Sequence, residues 1–238
     1  MGASPQPTSL PLTHSDVMSL ALLRLAMGAQ TRDLRSGQAF GGDGPGYLGG
    51  GDGAFIVERG AVVVSFTSMA GRTAWPEVLG PGDLFGEHPL RMGGATPRPE
   101  ASFMETRALT PSRLVVVPER DLRWAMRRRP EIAEWVAGSL ASRLERAHRH
   151  LVWSLTLPVR QRVVEVLREL AQVHGSEVVG GIRIDLPLSQ DALASLVGAT
   201  RESVNRAVRR LTAHGALCRA GRCYMLPHEH HPMGSGPW

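Results

Sequence analysis

The sequence predicts an α+β protein of two domains, a small β-barrel or sandwich followed by helices that end in a winged helix-turn-helix. Three observations predict it. Between Gly37 and about Val117, short β-rich runs recur at roughly ten-residue spacing among dense glycine turns. From about Glu131 to Leu155, small and apolar residues recur at intervals of 4, 3, 4, 3 and 4. Residues 188–226 then spell a capped helix, a glycine turn, a second capped helix rich in Arg, and a β-hairpin.

Residues 1–35 form a tail and a short helix. The Pro-, Ser- and Thr-rich residues 1–13 read as loose chain. Ser15 or Asp16 caps a helix to about Met27, with Leu20, Leu23 and Met27 on one face. Residues 36–129 form the barrel, with strands in Ala54–Val57, Ala61–Phe66 and Leu114–Val117. The clusters Gly41-Gly42-Asp43-Gly44 and Gly49-Gly50-Gly51-Asp52-Gly53 are turns. Neither has the strand–GxxxxGK[ST]–helix form that cradles a phosphate. Pro118 opens a short helix, Glu119 to Arg128, which Pro130 ends.

The long helix occupies 130–157. Ala133, Ala137, Leu140, Leu144, Ala147 and Leu151 form its heptad seam, flanked by Arg143, Glu145, Arg146, His148 and Arg149. A stripe this narrow favours a dimer seam over core packing, although a helix packed on its own barrel is the alternative. Pro158 breaks the helix and marks the hinge to a domain of 158–227. A helix to about Val173 turns Val163, Val164, Leu167 and Leu170 inward and ends at His174-Gly175, before a β segment from Gly181 to Leu186.

In the helix-turn-helix, Ser189 caps a helix that carries Leu193, Leu196 and Val197 inward, and Gly198 permits the tight turn. Thr200 caps the second helix, with Glu202 and Ser203 in its first turn. Its apolar face is Val204, Ala207, Val208 and Leu211; its other face shows Arg201, Glu202, Asn205, Arg206 and Arg209. One face anchors while bidentate donors stand near the N-terminal end of the other, as major-groove reading requires. Residues 217–225 are the wing, with Ala220-Gly221 at its tip and Arg219 and Arg222 placed for phosphates.

Bulk properties agree with a partner of double-stranded DNA. The 238 residues hold 27 basic against 22 acidic side chains, and with no Lys every basic one is Arg. Two cysteines, Cys218 and Cys223, give no disulfide framework and fit a reducing cytoplasm. No apolar run reaches the ~18 residues of a membrane helix, and Arg24 interrupts the only apolar stretch near the start, so neither membrane nor signal peptide is expected.

The chain from about residue 36 to the wing resembles the cyclic AMP receptor protein and fumarate-nitrate reduction regulator family. The resembling stretches are Gly53 to Gly60 (GAFIVERG), Leu79 to Glu87 (LGPGDLFGE), Arg107 to Pro111 (RALTP) and Gly198 to Arg206 (GATRESVNR). The resemblance implies a double-stranded β-helix (jelly-roll) sensor barrel, a long dimerisation helix and a C-terminal winged helix-turn-helix. It implies a homodimeric transcription regulator on two-fold symmetric DNA, with half-sites about one helical turn apart and RNA polymerase as a further partner. By the same resemblance Arg201, Glu202 and Arg206 read bases, and Ser189 and Ser203 meet phosphates; Thr200, Asn205, Arg209, Arg219 and Arg222 complete the expected contacts. The seam residues Ala137, Leu140, Leu144, Ala147 and Leu151 hold the dimer.

The effector pocket departs from the family. Its residues here are Gly86, Glu87, Arg98 and Ser102. Counting forward from Glu87, Arg98 takes the place of the phosphate-binding Arg; counting back from Arg107, Ser102 takes it. Pro99 and Glu100 suit an anion poorly, and Ala147 and His148 replace the polar pair that contacts adenine. Cyclic AMP is therefore not expected, and no other cofactor or metal is. An iron–sulfur cluster lacks cysteines before residue 218, and a cupin-type enzyme would need more than His88 within 36–118, so no enzyme is expected. An effector-dependent regulator remains an alternative, as does a degenerate DNA-binding domain serving as a protein-interaction module. A redox-responsive regulator is a third, because a turn at Ala220-Gly221 sets Arg219 opposite Arg222 and Cys218 opposite Cys223, near the ~5.5 Å spacing of a disulfide. His228, Glu229, His230 and His231 lie in a flexible tail, 228–238.

Overall fold

The structure, a computed structural model, describes residues 30–40, 53–71, 73–86 and 102–228. The helix expected before Met27, the glycine clusters between residues 41 and 52, Glu87, His88, Arg98 and the tail beyond His228 lie outside them. The chain divides into two compact units, parted between Leu151 and Val152. No helix among the described residues is long and apolar enough to cross a membrane.

Eight antiparallel strands build the first unit: β1 (Gln30–Leu34), β2 (Ala39–Phe40), β3 (Gly53–Arg59), β4 (Val62–Ser68), β5 (Thr73–Leu79), β6 (Leu84–Phe85), β7 (Ser102–Ala108) and β8 (Ser112–Pro118). They form two sheets, ordered β1-β8-β3-β6 and β2-β7-β4-β5. Phe55, Val57, Val62, Leu79, Phe85 and Leu114 belong to one core cluster, where the rings of Phe55 and Phe85 stack at 5.3 Å. The alternate residues Ala54, Ile56, Val115 and Val117 belong to a second cluster beneath α1 (Glu119–Arg128) and the start of α2 (Pro130–Thr156). Burial on both faces is why β3 and β8 read as continuous apolar runs rather than as alternation. Gly60, at φ +87°, has no room for a Cβ, which would collide with Ser112 and the Pro111 carbonyl.

Five strands of the first unit, β1, β2, β5, β6 and β7, lie outside the runs read from the sequence. β1 and β5 are edge strands with mostly exposed or half-buried side chains, and β5 tolerates Pro76 because an edge strand has an unpaired side. β7 (SFMETRA) lies between β2 and β4 without an apolar pattern.

The long helix buries apolar side chains against the barrel in its first turns only. Ile132 and Val136 are buried against the barrel, with Trp135 and Leu140 packed beside them. Further on, Leu144 is 57% exposed and Leu151 56%; Ala137 and Ala147 are exposed too. Arg143 bonds Glu77 and donates to the Leu84 carbonyl at 3.0 Å, while Arg146 reaches Asp83 at 3.0 Å. These pairs hold α2 against the barrel with its apolar stripe uncovered.

The second unit contains the end of α2, α3 (Val159–His174), β9 (Gly175–Val178), β10 (Gly181–Ile184), α4 (Gln190–Val197), α5 (Arg201–Ala213), β11 (Cys218–Ala220) and β12 (Cys223–Pro227). Its sheet runs β11-β12-β10-β9. On α3 the buried residues are Val163, Val166, Leu167, Leu170 and Ala171. Val164, expected inward, is only half-buried, since the face that meets the domain is centred one position further on. The β segment ends at Ile184 rather than Leu186 and pairs with a strand, β9, that the sequence reading missed.

Candidate nucleic-acid interface

Helices α4 and α5 begin as their capping residues dictate. Ser189 Oγ accepts from the amide of Ala192 at 3.0 Å, and Thr200 Oγ1 from the amide of Ser203 at 3.2 Å. Between them Gly198 is left-handed at φ +65°, a conformation that favours glycine. Val204, Ala207, Val208 and Leu211 are all buried, so α5 is anchored along one face. Its other face presents Arg201, Glu202, Arg206 and Arg209 to solvent. Arg201 lies 3.4 Å from Asp191 on α4, and Arg206 lies 3.0 Å from Glu202 one turn back. All four side chains are well exposed, and such pairs contribute at most about 1 kcal/mol, so exchanging them for a base or phosphate costs little.

Asn205, Thr200 and Ser203, all expected contacts, also serve the fold. The half-buried Asn205 accepts from Gln190 Nε2 at 3.1 Å, tying α5 to α4. The Thr200 and Ser203 hydroxyls lie 2.9 Å apart, which adds to the cap. The sequence reading missed Arg162. From the first turn of α3 its Nη1 donates to the carbonyls of Val197 at 3.1 Å and Gly198 at 3.3 Å, at the turn between α4 and α5. No local pattern marks it, because its partners lie 35 and 36 residues away.

The wing corrects the expected register. Cys218 pairs with Met225, Arg219 with Tyr224 and Ala220 with Cys223, so the turn is Gly221-Arg222 and not Ala220-Gly221. Arg219 and Arg222 are therefore not opposed, nor are Cys218 and Cys223. The cysteines are exposed diagonal neighbours on one face, and diagonal pairs stand about 7–8 Å apart, beyond disulfide reach. The inward face carries Tyr224, 1% exposed, with the Arg219 guanidinium 5.8 Å from its ring centre. Burial pushes the Tyr224 hydroxyl above its ordinary pKa. The Arg222 carbonyl accepts from the amide of Leu188 at 3.1 Å, fixing the wing to the segment that leads into α4.

Residues 161–229 match the Crp-like helix-turn-helix domain, and residues 50–129 the cyclic nucleotide-binding domain. A CRP-like cAMP-activated global transcriptional regulator of Mycobacterium tuberculosis is 32% identical over 176 residues, spanning 74% of this chain and 76% of that one. The chain belongs to the CRP/FNR family of transcriptional regulators. The global nitrogen regulator of Synechococcus elongatus is 30% identical over 152 residues, 64% of this chain and 67% of that one. Among solved structures, the c-di-GMP-responsive global regulator CLP of Xanthomonas campestris superposes with a TM-score of 0.69 at 21% identity, over 89% of this chain and 99% of that one. A CRP/FNR-family regulator from Thermus thermophilus does so at 0.65 and 24%, over 84% and 94%. The fold of this CRP/FNR chain is thus that of the family, a cyclic nucleotide-binding-type barrel joined to a helix-turn-helix.

Of the residues expected to form an effector pocket in this CRP/FNR regulator, Gly86 follows β6 at φ +72° and Ser102 opens β7 opposite Ser68. Glu87 and Arg98 lie outside the described residues. Ala147 lines a shallow concavity of about 260 Å³ with Pro76, Glu77 and Arg143. Among the described residues no three His, Cys, Asp or Glu side chains cluster as metal ligands.

Proposed function

We propose that this regulator binds a two-fold symmetric promoter site as a homodimer, sets its two α5 helices in successive major grooves, and does so without cyclic AMP. The observation that carries the reading is α5 itself. Four buried residues anchor it while Arg201, Glu202 and Arg206 stand exposed in its first two turns. Arg can grip guanine O6 and N7, and Glu can accept from cytosine N4. Ser189, Thr200, Ser203, Asn205, Arg209, Arg219 and Arg222 surround that helix as phosphate and secondary contacts. Dimerisation is supported by the uncovered stripe of α2, in which Leu144, Leu151 and Leu155 are each more than half exposed. The site's position in a promoter sets the contact with RNA polymerase, and the protein acts in the cytoplasm without catalysis.

Independence from cyclic AMP is supported by Ser102 at the place of the phosphate-binding Arg, counted back from Arg107, and by Ala147 and His148 on α2. The competing reading, an effector-dependent regulator, is favoured by the Mycobacterium tuberculosis relative, whose name calls it cAMP-activated. Selection of bound sequences from random duplex DNA, with and without cyclic AMP, decides between them. A two-fold symmetric site enriched equally in both supports the proposal. Enrichment only with the nucleotide overturns its second half, and no symmetric site in either overturns the whole.

A further inference from the structure

The register of the wing brings three sulfur atoms onto one surface. Cys218 stands opposite Met225, and Ala220 opposite Cys223. Opposed residues of an antiparallel pair share a face, as do residues two apart on one strand. Cys218, Ala220, Cys223 and Met225 therefore make up one face of the hairpin, and the buried Tyr224 belongs to the other. Three corners of that face carry sulfur, and the fourth carries only a methyl group. Both thiols are exposed and unbridged, and Met225 is half-buried. The register expected from the sequence sets Cys218 opposite Cys223 and leaves Met225 beyond the pair. The observed register is what adds the thioether to the two thiols, and it is why the sequence gave no expectation of a metal here.

Distance and donor chemistry together select the ligand. A disulfide holds its sulfurs about 2.05 Å apart and its Cβ atoms about 3.8 Å apart. Directly opposed Cβ atoms stand at roughly 4.5–5.5 Å, and diagonal ones at somewhat less than about 7–8 Å. An ion between two sulfurs inserts two bonds of about 2.3 Å, the zinc–thiolate value, so sulfurs roughly 4 Å apart can share it. Thiolate and thioether donors are soft and suit Cu(I). Structural zinc takes four ligands, one more than this face offers. Among the described residues no His, Asp or Glu joins the two thiols in a metal-binding cluster. We infer that Cys218, Cys223 and Met225 form a binding site for a soft monovalent metal ion, of which Cu(I) is the best matched. Each thiol releases its proton as its sulfur bonds the ion, the thioether contributes a lone pair, and no electron is transferred. The bound ion ties β11 to β12 beside the tip of the hairpin that carries Arg219 and Arg222. The inference rests on the wing register and does not depend on the operator or on cyclic AMP.

Anaerobic titration of the reduced full-length protein with Cu(I), in competition with the colorimetric chelator bicinchoninate, tests it. One equivalent per chain should leave the chelator, with a near-ultraviolet thiolate-to-copper band that only these two cysteines can supply. Cys218→Ser and Cys223→Ser, both at exposed positions, should each weaken binding about 100-fold or more and remove most of the band. Met225→Leu, which conserves volume, should weaken binding about ten-fold and keep the band. Copper held undiminished by the double Cys218→Ser, Cys223→Ser variant would place the ion elsewhere and overturn the site, as would no uptake at all. Half an equivalent per chain would mean an ion shared between two copies and would overturn a site within one wing. Unchanged affinity in Met225→Leu would overturn the three-sulfur set. Zn(II) held through the same thiols as tightly as Cu(I) would overturn the soft-ion class.

Discussion

Arg162 Nη1 donates to the carbonyl oxygen of Val197 at 3.1 Å, so α3 closes the C-terminal end of α4. The last carbonyls of a helix lack intrahelical donors, and a cation there is favoured by the helix dipole. Arg162→Ala should cost roughly 1–3 kcal/mol in urea denaturation, the scale of a lost charged hydrogen bond. It should also lower DNA affinity while leaving the ranking of preferred bases unchanged, because it acts on the angle between α4 and α5. A change in base ranking would mean that Arg162 itself meets DNA.

Arg201→Ala or Arg206→Ala should each cost roughly 1–3 kcal/mol of specific binding and relax base choice at one position of each half-site. Arg219→Ala should weaken all sequences evenly and reduce the salt slope of binding by about 1. Quantitative binding across single-base operator variants at several salt concentrations separates the two kinds of contact.

The α2 stripe predicts a clean separation of assembly from folding. Leu144 and Leu151 are more than half exposed within the chain, so Leu144→Arg with Leu151→Arg should leave barrel folding intact. Sedimentation should show monomers in place of dimers. A double variant that still sediments as a dimer would move the interface elsewhere.

His174 gives a pH dependence. Burial pushes its pKa down from 6.5 to about 4, and its Nε2 has no hydrogen-bond partner among the described residues. The unfolded chain therefore binds more protons between those values. Stability is fully present above about pH 6.5 and falls as the pH drops toward 4, by at most about 3 kcal/mol. Thermal melts from pH 7 to pH 4 should show this loss, and His174→Gln should flatten it. An unflattened profile would assign the loss to other groups.

The wing register predicts that peroxide leaves Cys218 and Cys223 unlinked within one chain. Met225 stands opposite Cys218, so Met225→Cys in a Cys223→Ser background should form the cross-link that the native pair does not. Thiol counting and digestion under non-reducing conditions read both outcomes. A native Cys218–Cys223 bridge would contradict the register.

The helix-turn-helix was legible because its signals are local. Ser189 and Thr200 cap within three residues of themselves, Gly198 takes its own left-handed turn, and the apolar spacing of α5 names the four residues that are buried. β3 and β8 were legible for a related reason, since burial on both faces leaves a continuous apolar run. What the sequence determined by itself was thus the identity of each domain, the caps, and the exposed Arg201, Glu202 and Arg206. Tertiary structure alone decided the rest. The tip of the wing moved by one residue; that shifts the strand pairing by two and keeps Tyr224 on the inward face in either register, so the local apolar pattern could not tell the two turns apart. The long helix gave up its first turns to the barrel and kept its later stripe uncovered, because Arg143 and Arg146 meet carboxylates on strands and turns more than 60 residues away. Arg162 depends on carbonyls brought to it from a distant stretch, and no short-range pattern encodes such a contact.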